Sequence, residues 1–285
     1  MKNILVTGAG GQLGLSLKQI VVDFPQFNIF FADKKDLDIT CENTINHFFN
    51  LNDLDLVVNC AAYTSVDLAE STPEQAYLVN ATATKNLAIS TAKHNIPLIH
   101  ISTDYVFDGS VAKPRLETDP VNPINTYGQT KLFGEQFALA ANPKTIVIRT
   151  SWLYSVHQHN FVKTMCRLFS EKNEINVIND QIGSPTHALD LAHVILQIAN
   201  SSSITYGIFN YSNEGQCSWY EFALKIKEIL NTSTIIYPIP SSGYPTTANR
   251  PAFSLLDKTK IKSTYNIEIP NWHLSLENML HKYLK

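Results

Sequence analysis

At 285 residues and 44% hydrophobic, the chain is long enough to bury one large core, or a core with an appended lobe, and it reads as globular. Its 22 lysines and arginines against 25 acids give a formal charge of −3, which supplies no basic field for nucleic acid or an anionic membrane and speaks against both as partners. The four cysteines, Cys41, Cys60, Cys166 and Cys217, have neither the framework of a disulfide-stapled domain nor the short spacing of a zinc site, so reduced, mostly buried thiols are expected.

The amino terminus, MKNILVTGAGG, runs apolar for too few residues to make an export signal. No uninterrupted apolar stretch approaches the ~20 residues that cross a bilayer, so cytoplasm is the expected compartment. The first element, NILVTG, reads as a buried strand that runs into Gly8, Gly11 and Gly14 at the head of the helical pattern GQLGLSLKQIVVDF. Such spacing after a strand suits a dinucleotide site: the first glycine makes the tight turn, the second lets a diphosphate approach the backbone, and the third lets the helix pack closely. Gln12 and Leu13, inside the same loop-to-helix junction, belong with Gly8 and Gly11 to the expected cofactor set. The second strand, NIFFAD, ends at Asp33, about twenty residues on, where a carboxylate accepts the ribose hydroxyls. Lys34 and Lys35 follow at once and suit a 2′-phosphate, so the choice between NADPH and NADH stays open. LDIT places Asp38 and Ile39 near the adenine; after the third strand, LDLVVNCAA, come Ala61, Ala62 and Tyr63 on the nicotinamide side.

PEQAYLVNATATKNLAISTAKHN carries apolar residues at three- and four-residue steps, with Pro73 where a first helical turn tolerates it. The fourth strand, PLIHIST, delivers Ser102, Thr103 and Asp104; the next helix brings Tyr127 and Lys131, four residues apart and therefore on one face; TIVIRTS is the fifth strand. Alternation of this kind predicts an α/β fold with a doubly wound parallel sheet over residues 1–151. Residues 152–285 read as a smaller, loop-rich substrate lobe, some segments of which return to the first core. Its helical stretches FVKTMCRLFSEKN, LDLAHVILQIANS and WYEFALKIKEILN are separated by QIGSPTH and PIPSSGYPTTANRP. A cleft between the lobes is the expected ligand site.

Alone, Tyr127 and Lys131 are an ordinary exposed helical pair. Beside a nicotinamide they form an acid–base device: hydride reduction of a ketone leaves an alkoxide that needs a proton, the phenol donates it, and the ammonium favours the phenolate left behind. Thr103 is placed to hold the substrate oxygen near Tyr127.

Together, VTGAGGQLG, NCAAYTSVDLAE, ISTDYVFDG, NPINTYGQTKLFGE, IRTSWLY and QIGSPT resemble the dTDP-4-dehydrorhamnose reductase family of the extended short-chain dehydrogenase/reductases, over nearly the whole chain. The resemblance implies NAD(P)H-dependent reduction of the 4-keto group of dTDP-4-dehydro-L-rhamnose to dTDP-L-rhamnose, a precursor of bacterial surface polysaccharide such as lipopolysaccharide. It assigns Thr103, Tyr127 and Lys131 to catalysis, and Val66, Thr103, Asp104, Tyr105 and Trp152 to the sugar pocket. It brings Asn160, Gln181 and Arg250 to the nucleoside diphosphate. Some members dimerise through magnesium held by acids of the smaller lobe; SPTHALDLAH offers Asp190 and no glutamate, so no metal is expected here, and a monomer or homodimer is. His157 and His159 lack carboxylate or cysteine neighbours in sequence and read as a loop pair. Alternatives are a related 4-ketoreductase giving 6-deoxy-L-talose, a dehydratase or epimerase, and a non-catalytic regulatory subunit like methionine adenosyltransferase β. Elimination is disfavoured because the dehydratases follow the threonine with Asp-Glu, whereas Asp104 is followed here by Tyr105.

Overall fold

The computed structural model describes residues 1–283. β1 (Lys2–Thr7), β2 (Phe27–Ala32), β3 (Leu56–Asn59), β4 (Leu98–Thr103) and β5 (Thr145–Thr150) join the strand Gly207–Asn210 in one six-stranded sheet. Its order is β2-β1-β3-β4-β5 followed by Gly207–Asn210, and every pairing is parallel. The strands are apolar because both faces are covered. Ile4, Val6, Leu56, Val58 and Ile148 pack on one side with Leu13 and Leu17 of helix Gln12–Ile20 and with helix Ala188–Ala199. Leu5, Val57 and Leu98 pack on the other with Ile45 and Phe49 of helix Glu42–Leu51, and with Leu87 and Ala138. Burying each such side chain contributes about 1.5–3 kcal/mol. β1 is flanked by β2 and β3, so the chain's strand order reverses beside the glycine loop, the place where open α/β sheets leave a crevice at their carboxyl edge.

The long helical stretch before β4 is not one regular helix. Pro73–Tyr77 and Ala83–Lys93 are α-helical, and Leu78–Thr82 between them is a π turn. The extra residue turns the side chain of Asn80 inward, and π turns of this kind commonly mark functional sites. Among the described residues, 152–283 hold three two-stranded ladders: Glu174–Ile178 with Ile235–Ile239, Ile182–Gly183 with Cys217–Ser218, and Leu153–Tyr154 with Thr186–His187. Their core gathers Tyr154, Val162, Met165, Phe222, Trp272 and Leu276. Helix Trp219–Leu230 starts with a full capping box, Ser218 and Glu221 each binding the other's backbone amide. The four cysteines are free; Cys41 is exposed, Cys60 and Cys166 are half-buried and Cys217 is buried. Among the described residues no helix is long and apolar enough to cross a membrane.

Candidate active site

The carboxyl edge of the sheet opens into a cavity of about 640 Å³. Gly8, Gly11, Gln12 and Leu13 line it from the loop after β1, Val66 from a short helix, Thr103, Asp104 and Tyr105 from the end of β4, and Tyr127 and Lys131 from helix Thr126–Ala141. Trp152 and Asn160 close it from the stretch of chain after β5. A second cavity of about 310 Å³ shares Gly8 and Gly11 and continues past Lys34, Asp38, Ile39, Ala61, Ala62 and Tyr63.

The loop after β1 suits a diphosphate. Gly8 has φ +67°, and a Cβ there would stand 2.5 Å from the Ala61 nitrogen. At Gly14 a Cβ would meet the Ala9 Cα at 2.6 Å, so glycine lets the helix seat directly on the loop. No side chain caps helix Gln12–Ile20, which leaves its first amides for an anion. These features fit a dinucleotide. Asp33 lines neither cavity; it is exposed at the end of β2, and its Oδ1 accepts from the Lys35 amide at 2.7 Å. Asp38 accepts from the hydroxyl and amide of Thr40 at 2.6 and 2.9 Å, and the Thr40 hydroxyl bond holds its carboxyl below the usual range.

At the other end Thr103 is buried and its hydroxyl donates to Asp104 Oδ1 at 3.0 Å. The Tyr127 hydroxyl also lies within hydrogen-bond reach of Thr103, and its ring meets Tyr105 edge-on, centroids 5.9 Å apart. Asn125 caps the helix by accepting from the Gly128 amide at 2.7 Å, which fixes the turn that presents Tyr127. Lys131 is 1% exposed and its Nζ donates to the Ile101 carbonyl at 2.6 Å. One turn on, Glu135 forms a buried forked pair with Arg149, 2.9 and 2.7 Å at its two closest contacts.

The electrostatics differ from the simple expectation that the ammonium lowers the phenol. Burial pushes Tyr127 up to about 12, against the Thr103 hydrogen bond, which lowers it. Burial also brings Lys131 down to about 8, opposed by the charge of Glu135. With Lys131 bonded to a backbone carbonyl, desolvation decides the phenol. Asp104 is raised to about 7, again chiefly by burial, against side-chain hydrogen bonds from Ser254 and Thr103 that lower it.

Other candidates fall outside the cavities or are already engaged. The Asn160 amide caps helix Phe161–Glu171 and donates to Gln12 Oε1 at 3.0 Å and to the Ser155 carbonyl at 2.8 Å. Gln181 donates to Ser241 at 2.9 Å, away from the cavity lining. Arg250 is bound to Asp67 at 2.6 Å. His157 faces Gln19, while His159 lines the larger cavity, and among the described residues no group of three ligating side chains assembles. Asp190 lies elsewhere, with Asn213, Ser275 and His187 around its carboxylate.

Several residues at the site gave no separate signal in the sequence. Trp219 stacks face to face on Trp152, 3.6 Å between centroids, and Trp152 takes a left-handed backbone, φ +48°. Asn80, turned in by the π turn, accepts from the Tyr63 amide at 2.8 Å and donates to Tyr63 and Thr130 at 3.1 and 3.0 Å. Glu70 accepts from the amide and hydroxyl of Thr126, each at 2.8 Å. Asp67 and Glu70 both stand in the quoted VDLAE, yet their partners lie 183 and 56 residues away.

The model of the family described as RmlD substrate binding domain matches residues 1–285. A protein of Aggregatibacter actinomycetemcomitans named dTDP-4-dehydrorhamnose reductase is 39% identical over 289 residues, covering 98% of each chain. A Clostridium acetobutylicum dTDP-4-dehydrorhamnose reductase of known structure aligns with a TM-score of 0.95 at 38% identity, over 99% of this chain and 100% of that one. A dTDP-4-dehydrorhamnose reductase of Bacillus anthracis, solved in complex with NADP, gives a TM-score of 0.95 at 37% identity with the same coverage.

Proposed function

Because the chain belongs to the RmlD substrate-binding-domain family, we propose that it is an NAD(P)H-dependent dTDP-4-dehydrorhamnose reductase. It reduces the 4-keto group of dTDP-4-dehydro-L-rhamnose to dTDP-L-rhamnose, the last step of dTDP-rhamnose formation. The observation that carries this reading is the convergence of Thr103, Tyr127 and Lys131 in the same cavity as an uncapped glycine-loop helix.

Gly8, Gly11, Gln12 and Leu13 hold the diphosphate of the cofactor, Asp38 and Ile39 line the stretch toward its adenosine, and Ala61, Ala62 and Tyr63 follow β3 on the way to the nicotinamide. Asp33 takes the ribose from the neighbouring strand end. NADP in the Bacillus anthracis relative, and Lys34 at the adenosine cavity, favour the phosphorylated cofactor. When bound, the nicotinamide supplies the hydride; everything else comes from side chains. Tyr127 gives its proton to the oxygen of the former ketone. Even at a pKa of about 12 the phenol is more acidic than the alcohol being formed, so the transfer runs downhill. Lys131, with a pKa of about 8, is mostly ammonium at neutral pH and stabilises the phenolate left behind. Thr103 holds the substrate oxygen in line with Tyr127. Val66, Asp104, Tyr105 and Trp152 seat the sugar, with Asn160 and Arg250 toward the nucleotide.

Residues 1–151 serve as the dinucleotide-binding domain and 152–285 mainly as the substrate lobe. The enzyme works in the cytoplasm as a monomer or homodimer, without a metal, and feeds surface polysaccharide such as lipopolysaccharide. The test is incubation with dTDP-4-keto-6-deoxyglucose, a 3,5-epimerase and NADPH, with NMR of the product sugar. Stoichiometric NADPH oxidation and a rhamnose spectrum are expected; a 6-deoxy-talose spectrum, or no oxidation, overturns the assignment.

A further inference from the structure

We propose that Asp67 is a positioning residue: with Arg250 it latches the segment 244–251 onto helix Val66–Ser71 and thereby holds Tyr105 against Tyr127.

That segment is anchored at both ends in the lobe of residues 152–285. Ser241 donates through its amide and hydroxyl to Asp180, at 2.9 and 2.6 Å, and the Ile182 amide donates to the Ala252 carbonyl at 2.8 Å. Between these anchors the chain crosses to the other lobe. Asp67 receives three donors from it: Arg250 Nη2 at 2.6 Å, Arg250 Nη1 at 3.2 Å and the Ala248 amide at 3.0 Å. Arg250 Nη1 also donates to the Ala248 carbonyl at 3.1 Å, so the guanidinium braces the segment's own backbone. Beside this, Asn125 Nδ2 donates to the Asn249 carbonyl at 2.8 Å, while the same side chain's oxygen caps the helix that carries Tyr127.

The Arg250 guanidinium lies next to the Tyr105 phenol, and the Tyr105 ring stands edge-on to Tyr127. A path of contacts therefore runs from Asp67 through Arg250 and Tyr105 to Tyr127. Helix Val66–Ser71 carries both of its anchors: Asp67 grips the crossing segment, and Glu70, one turn later, grips Thr126 at the start of the Tyr127 helix. Its first residue, Val66, lines the cavity. The Asp67 side chain is 44% exposed, and an ion pair so open to water contributes little to global stability. Its effect belongs to the local placement of Arg250 and Tyr105.

The inference rests on the reductase reading with Tyr127 as the acid. Its test compares Asp67→Asn, Asp67→Ala and Asp67→Glu in steady-state assays with the ketosugar, alongside calorimetric titration with NADPH. Asp67→Asn and Asp67→Ala are expected to lower kcat/KM by about tenfold or more, mainly through KM for the sugar nucleotide, while Asp67→Glu stays within about threefold of wild type. NADPH affinity stays within about twofold throughout, which shows that the fold and the cofactor site are intact. An Asn variant within about twofold of wild type in kcat/KM, a Glu variant as poor as Ala, or a parallel loss of NADPH binding overturns the latch. Wild-type protein that oxidises no NADPH overturns the reductase reading and the latch together, so the two failures are distinguishable.

Discussion

Tyr127 and Asp104 line the same cavity, and burial moves both in the same direction, toward the protonated form. On the proposed reading this makes Tyr127 a proton donor that keeps its hydrogen until a strongly basic oxygen forms beside it. Tyr127→Phe is accordingly expected to lower kcat by at least about a hundredfold, the range of a lost general acid, with calorimetric NADPH binding unchanged; turnover near wild type removes Tyr127 from its role. For Asp104 the consequence is a pH dependence of stability. Its carboxyl is raised from 3.8 to about 7 in the folded chain, so between those values the native state holds a proton that the unfolded state has released. Stability contributed by this group therefore falls as pH rises from about 4 to about 7 and is flat above that. Denaturant titrations across this range should show a shallower decline for Asp104→Asn than for wild type. Equal slopes for the two proteins remove the buried carboxyl as the cause.

At the scale of elements, the π turn Leu78–Thr82 matters because it converts one asparagine into a three-way tie among the loop after β3, its own helix and the Tyr127 helix. Asn80→Ala leaves the Tyr63 amide and carbonyl and the Thr130 hydroxyl without these partners, and should destabilise the protein by about 2–3 kcal/mol in urea unfolding; a change below about 0.5 kcal/mol, typical of an inconsequential surface substitution, contradicts the tie. Nothing in LVNAT announces a π turn, because apolar spacing of three and four residues is shared by both helix types. The strands, by contrast, were legible from short runs such as LVVN and TIVIRT, since a parallel strand covered on both faces has to be apolar throughout. The glycine loop was legible for a similar local reason: Gly8 has to be glycine where φ is +67°. Tyr127 and Lys131 stood out only in the company of the glycine loop, since their spacing on one helix face is ordinary by itself. What escaped depends on contacts between distant residues. The Trp152–Trp219 stack and the Asp67–Arg250 pair join positions far apart in sequence, and the engagement of Asn160 as a helix cap leaves no mark in its neighbours.

Across the whole molecule, the lining of the larger cavity is drawn from two stretches of the chain: Gly8, Thr103 and Tyr127 before the end of β5, and Trp152, Asn160 and Trp219 after it. A ligand lodged there touches both and binds only the folded arrangement. NADPH at a hundredfold excess over its Kd should therefore raise the unfolding free energy by about 2.7 kcal/mol through mass action alone; no shift in the melting transition at that excess argues against a preformed cofactor site. The placement of the aromatic residues has an optical consequence. Of the chain's three tryptophans, Trp152 and Trp219 are stacked in the lining of the larger cavity, while Trp272 is buried deeper in the same apolar cluster, edge-on to Phe222, which also touches Trp219. On the proposed reading, a sugar lodged against the stacked indoles alters their emission and their near-ultraviolet circular dichroism, so the protein carries an unlabelled spectroscopic gauge of whether its seat is taken.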